Sequence, residues 1–296
     1  VKAGVVTSAD FLGDELGPRG RRRVAVASAA SAALLLGAAA VGVNRFLSRG
    51  QFSSRFWEPL SRWSVMRFIL IGLWHTLEAA VVAMVLATLV GVVMATGRLA
   101  RHRPVRWLAG AYVEFFRAVP LILLILFCYI GLPHEGVRPT PFQALVLGLT
   151  IYNGAVMGEI FRAGILSLDR GQTEAASSVG LTGRQSMFLV ILPQAVRRMA
   201  PAIVSQLITA LKDTALGYVV TYDDALRRAD QTGTFFGNRL QATIVIAACY
   251  IVVNLGLSRL AHRLEVRQQR RLGAGTIEVT GIEDLAVVGA SASAAV

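Results

Sequence analysis

Six stretches of this sequence are each apolar for about the length that a helix needs to cross a bilayer, and no soluble fold tolerates that pattern. A hydrocarbon core about 30 Å thick takes about 20 residues at 1.5 Å rise per residue. The stretches are residues 24–43, 69–96, 107–132, 142–166, 200–222 and 240–261. Composition agrees, since 54% of the 296 residues are hydrophobic and only 16% are charged. Soluble domains carry about 25% charged residues. The expected fold class is an all-α membrane protein, a polytopic helical bundle of about six transmembrane helices.

The formal net charge is +12. A basic chain invites a nucleic-acid reading, but there is no zinc-ligand spacing and no aromatic RNA-binding signature. No metal site and no nucleic-acid partner is expected. The arginines gather instead at 19–23, 98–106, 170–198 and 259–271, stretches that fall on one side if the spans alternate. Loops retained in the cytoplasm carry this bias. The expected arrangement is a multi-pass protein of the cell membrane with both termini cytoplasmic. Residues 1–23 form a cytoplasmic N-terminal segment, 24–43 the first transmembrane helix and 69–263 the main transmembrane domain. In 44–68, Phe56, Leu60, Trp63 and Arg67 recur at helical spacing, which predicts an external helix lying in the membrane interface. Residues 264–296 read as a flexible cytoplasmic tail.

Segment 167–199, between the fourth and fifth stretches, is not featureless. Glu174, Ala175, Ala176 and the residues to Val179 predict a short helix ended by Gly180, which tolerates left-handed C-cap geometry. Thr182 then caps a second short helix, from Gly183 to Leu192, expected to stop before Pro193. Two short helices on the cytoplasmic face make a knob stiff enough to transmit force from a docked partner.

The stretch EAASSVGLTGRQSMFLVILPQA, 174–195, resembles the EAA loop of bacterial ABC importer permeases. Around it, GLWHTLEAA (72–80), YVEFFRAVPLILLILF (112–127), GEIFRAGI (158–165) and LPQAVRRMAPAIVSQLITALKDTAL (192–216) resemble the polar amino-acid uptake branch of that family. The resemblance covers 72–263 and lies nearest to glutamate permeases of actinobacteria. One departure is Ala215, where the family pattern has Ser. The resemblance implies a permease that translocates polar amino acids, glutamate foremost, and makes 167–199 the coupling-helix loop. It makes Glu174, Ala175, Ala176 and Gly180 the residues that couple to the ATPase. It also implies three partners: a cytoplasmic ABC ATPase dimer, an extracellular solute-binding protein and a second permease subunit, with a heterodimer favoured. The sequence has no GxxxxGK[ST] phosphate loop. ATP and Mg are therefore expected on the partner ATPase, with no cofactor and no catalysis on this chain.

Ionisable side chains inside spans cost about 2.5–3.5 kcal/mol each and usually face a protein interior or an aqueous path. Glu114 and Arg117 are three residues apart on one helix, as are Glu159 and Arg162, while Lys212 and Asp213 are adjacent. These charges sum to zero, which suits internal ion pairs that hold the bundle together. They equally suit a substrate pathway of Lys212, Asp213, Glu159, Arg117 and Glu114, in which Lys212 attracts a carboxylate and Glu159 or Asp213 an ammonium.

The alternative mechanism is a secondary ion-coupled amino-acid transporter, which would call for inverted repeats that the six stretches do not show. A membrane-embedded enzyme finds no support either. His75, His102, His134 and His262 are scattered and form no catalytic motif.

Overall fold

A computed structural model describes residues 18–273, and among these the secondary structure is entirely helical. The chain divides into two units, residues 1–59 and residues 60–296. The first holds α1 (Pro18–Ser48) and most of α2 (Ser54–Ser61). Pro18 opens α1, a position where its missing N–H costs nothing. Along α1 the apolar side chains Leu34, Leu35 and Leu36 are exposed, as expected of a helix whose solvent is lipid. The predicted 1–23 segment is thus helical from Pro18 onwards, and its earlier residues lie outside those described.

The second unit contains α3 (Trp63–Arg98), α4 (Arg103–Ala118), α5 (Leu121–Leu126), α6 (Pro141–Leu166), α7 (Arg170–Ser178), α8 (Gly183–Ser186), α9 (Leu192–Asp213), α10 (Ala225–Phe236) and α11 (Arg239–Gly273). Among the described residues of both units, five helical segments are long and apolar enough to cross a membrane, and a sixth is made if the bent pair Arg103–Ala118 and Leu121–Glu135 counts as one span. The expected bundle of about six spans is present.

Several boundaries differ from expectation for local reasons. The interfacial helix foreseen over 44–68 shrinks to α2. Arg62 is extended (φ −74°, ψ 125°), so Trp63 and Arg67 belong to α3. The stretch 107–132 is two helices meeting at 101°. Val119 precedes Pro120 and is pushed out of the helical region (φ −76°, ψ 129°), which breaks the span there. The helix predicted to stop before Pro193 instead runs on through a π turn, Met187–Ile191, into α9. In that wider turn the Leu192 N–H donates to the Met187 carbonyl, and Pro193 falls in the first turn of α9, where no N–H is needed. The tail predicted from 264 is helical to Gly273, over a run of Glu, Gln, Arg and Leu with no helix breaker. Residues 274–296 lie outside those described.

The core is the contact of α3 with α6. A Cβ on Gly91 would lie 2.6 Å from Met157 Cβ, and one on Gly154 2.6 Å from a Val90 methyl. Small residues let the two backbones approach where burial of apolar surface from water gives no driving force. Ala79, Ala83, Ile125, Leu145 and Leu149 extend the core along one side. Gly91→Val is expected to destabilise the bundle by about 1–3 kcal/mol, read as a lower melting temperature of the detergent-purified chain, because the backbone cannot yield.

At the opposite end from the 167–182 loop, α10 is pinned to α3. The Ala225 N–H donates to Thr76 Oγ1 (3.2 Å), and Tyr222 Oη donates to the His75 carbonyl (3.0 Å). Asp224 caps α10, accepting from the Arg227 N–H at 2.8 Å, and is fully buried. Burial pushes its carboxyl up to about 6. A carboxyl raised in the folded state binds more protons there than in the unfolded chain, so its contribution to stability is lost as pH rises through about 6. Asp224→Asn keeps a capping oxygen without the buried charge. It should melt higher than the parent at pH 7.5 and show a flatter melting-temperature profile between pH 4 and 6.5.

Candidate substrate pathway and coupling loop

A cavity of about 1000 Å³ opens between α4, α5, α6 and α9. Arg98, Glu114, Arg117, Glu159 and Arg162 form its charged wall, and Tyr152, Gln206, Thr209 and Asp213 the remaining polar lining. Near its middle, Gln206 Nε2 donates to Asn153 Oδ1 at 2.6 Å, and Asn153 Nδ2 donates to the Leu149 carbonyl at 2.9 Å, tying α9 to α6. Asn153 is halfway along α6. The two helices run antiparallel, so Glu159 lies about 9 Å to one side of that level and Asp213 about 10 Å to the other, at 1.5 Å per residue.

The charges are arranged differently from the sequence expectation. Glu159 does pair with Arg162 (2.5 Å), but it also accepts from Arg98 at 2.6 Å. Arg98 reaches Glu114 as well, at 3.6 Å, so this one guanidinium joins α3, α4 and α6. Glu114 is not paired with Arg117, which lines the cavity with no carboxylate in ion-pair range among the described residues. Arg98 escaped the sequence reading because it looked like one more cytoplasmic-side arginine at a helix end. The one available signal was its place as the last residue of α3.

Lys212 requires a correction. Asp213 lines the cavity, whereas Lys212 lines a separate apolar groove between α9 and α11. Neighbours on a helix are about 100° apart, so adjacency in sequence separates the two side chains. Lys212 is therefore outside the cavity that Glu114, Arg117, Glu159 and Asp213 line.

In the 167–182 loop, Asp169 caps α7 and Thr182 forms a capping box with Gln185 ahead of α8. Gly180 is left-handed (φ 84°), and the Leu181 N–H returns to the Ala176 carbonyl at 3.1 Å, closing the helix end as expected. Two contacts hold the loop to α9: Gln194 Nε2 to Gln172 Oε1 (2.9 Å) and Arg198 to the Ser167 carbonyl (2.8 Å). Glu174, Ala175 and Gly180 are exposed, but Ala176 is buried. Ala176 faces the body of the chain, which leaves it an anchor for α7 rather than part of an outward docking surface.

Glu159 and Arg98 are expected to be coupled by about 0.5–3 kcal/mol in a double-mutant cycle of Arg98→Ala and Glu159→Gln, measured by thermal melting. Additive effects would mean that the contact carries no stability.

Residues 87–270 match the family of binding-protein-dependent transport system inner membrane components. The chain is 40% identical over 232 residues to the glutamate transport system permease protein GluD of Corynebacterium glutamicum, covering 76% of this chain and 83% of that one. It is 38% identical to the probable glutamine ABC transporter permease protein GlnM of Bacillus subtilis, covering 67% of this chain and 92% of that one. Among solved structures it superposes on an amino acid ABC transporter crystallised with histidines, with a TM-score of 0.67, 34% identity and coverage of 70% of this chain and 97% of that one. The MetNI methionine ABC transporter shares the fold, with a TM-score of 0.61 at 20% identity and coverage of 70% of this chain and 99% of that one. The family works with an ATPase and a solute-binding protein, so the ion-coupled alternative falls away. The chain belongs to the family of binding-protein-dependent transport system inner membrane components, as a membrane-spanning permease subunit of an ABC importer and not as an enzyme.

Proposed function

We propose that this permease carries polar amino acids, with glutamate the expected cargo, along the cavity between α4, α5, α6 and α9. The observation that carries the reading is the pair of unshared charges in that cavity. Arg98 and Arg162 are engaged by Glu159, whereas Arg117 and Asp213 line the cavity with no ion pair among the described residues. A guanidinium suits a carboxylate, and a carboxylate suits an ammonium, so the two match the charged groups of an amino acid. Glutamate and glutamine permeases among the relatives support an acidic or amide cargo, beside permeases named for arginine and cystine.

ATP and Mg are bound by the partner ATPase. The exposed Glu174, Ala175 and Gly180 dock in that ATPase, and the loop's hydrogen bonds to α9 pass its displacement to the helix that lines the cavity. The arginine-rich stretches keep both termini on the ATPase side. The permease dimer is built from two different chains.

Reconstitution with the ATPase, the second permease and the binding protein tests the reading. Vesicles should accumulate labelled glutamate only with ATP, and accumulation that follows an ion gradient alone would refute it. Arg117→Ala and Asp213→Asn should each slow uptake by about tenfold or more while ATPase docking persists. Glu174→Arg should abolish uptake in a protein that melts normally.

A further inference from the structure

We infer that Asp224, Tyr250, Thr76 and Thr214 form a buried site for a small monovalent cation, sodium being the one to test, which ties α3, α11 and the end of α9 to the start of α10. α10 runs about 16 Å from Ala225 to Phe236, and α11 returns about 16 Å from Arg239 to Tyr250, at 1.5 Å per residue. Tyr250 thus comes back to the level of Asp224. Thr76 is held at that level by the Ala225 N–H, which it accepts at 3.2 Å, and Thr214 directly follows α9. The Tyr250 hydroxyl lies beside the hydroxyls of Thr76 and Thr214 and within electrostatic reach of Asp224. Gly72 permits this approach, since a Cβ there would lie 2.8 Å from the Asp224 carbonyl oxygen and 2.9 Å from Ala225 Cα.

These four side chains are rich in lone pairs and short of protons. Thr76 spends its hydroxyl proton on the Gly72 carbonyl (3.1 Å), and Thr214 spends its own on the Leu211 carbonyl (2.7 Å). Asp224 Oδ1 accepts from the Arg227 N–H, but Oδ2 is buried and has no hydrogen-bond partner. The same is true of Tyr250 Oη. Only the Tyr250 proton remains to be shared among these oxygens.

The carboxylate also lacks a close counter-charge. Arg227 attracts it and Asp223 repels it, but Asp223 is engaged by Arg228 at 2.9 Å. No cationic side chain among the described residues is in ion-pair range of Asp224, which is fully buried. On balance burial outweighs the attraction of Arg227. A water molecule would supply two protons to this cluster but no charge. A single carboxylate with neutral hydroxyl oxygens suits one positive charge and a hard ion. No three His, Cys, Asp or Glu side chains gather as a multivalent metal site among the described residues.

The test is the melting temperature of the detergent-purified chain at pH 7.5 in sodium, potassium or choline chloride of equal concentration. Sodium should raise it by about 2–4 °C over choline. Equal melting in all three salts would overturn the site and leave a buried water or a proton there. An equal rise with potassium would overturn the choice of a small ion. In choline, Asp224→Asn should melt above the parent, so that variant folds, and sodium should give it no further rise. Tyr250→Phe keeps the ring and removes one ligand oxygen, and it should lose most of the sodium shift. A full sodium shift in either variant would overturn the assignment. The chain is measured alone, so the outcome is independent of ATP-driven uptake, which tests the permease reading.

Discussion

The close approach of α3 to α6 is the contact on which the rest of the helical unit depends. Gly91, Gly154 and Gly158 leave no room for a Cβ between the two backbones, so their separation and register are set by contact rather than by lipid. Once that register is set, the last residue of α3 lies beside α6, and Arg98 meets Glu159 at 2.6 Å. The same guanidinium draws in Glu114 of α4. A packing constraint thus becomes an electrostatic one, and together they build one wall of the cavity.

The opposite wall is formed by α9, which is continuous through a π turn with the end of the 167–182 loop. A helix that ended before Pro193 would separate the loop from the cavity. The π turn at Met187–Ile191 lets the chain pass the proline and carry on for 22 more residues as α9. The π turn and α9 thus join the segment after α8 to Gln206, Thr209 and Asp213 as one nearly unbroken rod. At the far end, the chain at the start of α10 is held to α3 by hydrogen bonds from Ala225 N–H to Thr76 and from Tyr222 Oη to the His75 carbonyl.

Much of this was legible in the residues. The loop followed from Gly180 and Thr182, because left-handed geometry and N-capping are local properties, and both appear where they were expected. Glu159 with Arg162 followed from three-residue spacing. The break at Pro120 was marked by the proline, but its 101° angle was not, since an angle depends on what each half packs against. Ala176 illustrates the same limit. Its place in the loop motif suggested an outward role, and only packing against the body of the chain turned it inward.

Apolar length and arginine distribution, which the residues alone supply, determine that this chain spans a membrane as a helical bundle. The reason is that insertion free energy sums over consecutive residues. Which charges share a cavity was decided by tertiary structure. Arg98 and Glu159 are 61 positions apart yet touch, while Lys212 and Asp213 are adjacent yet face different spaces. Sequence separation records order along a helix. A site is made by the faces that helices turn toward one another, and here the glycine contact between α3 and α6 and the course of α9 set those faces.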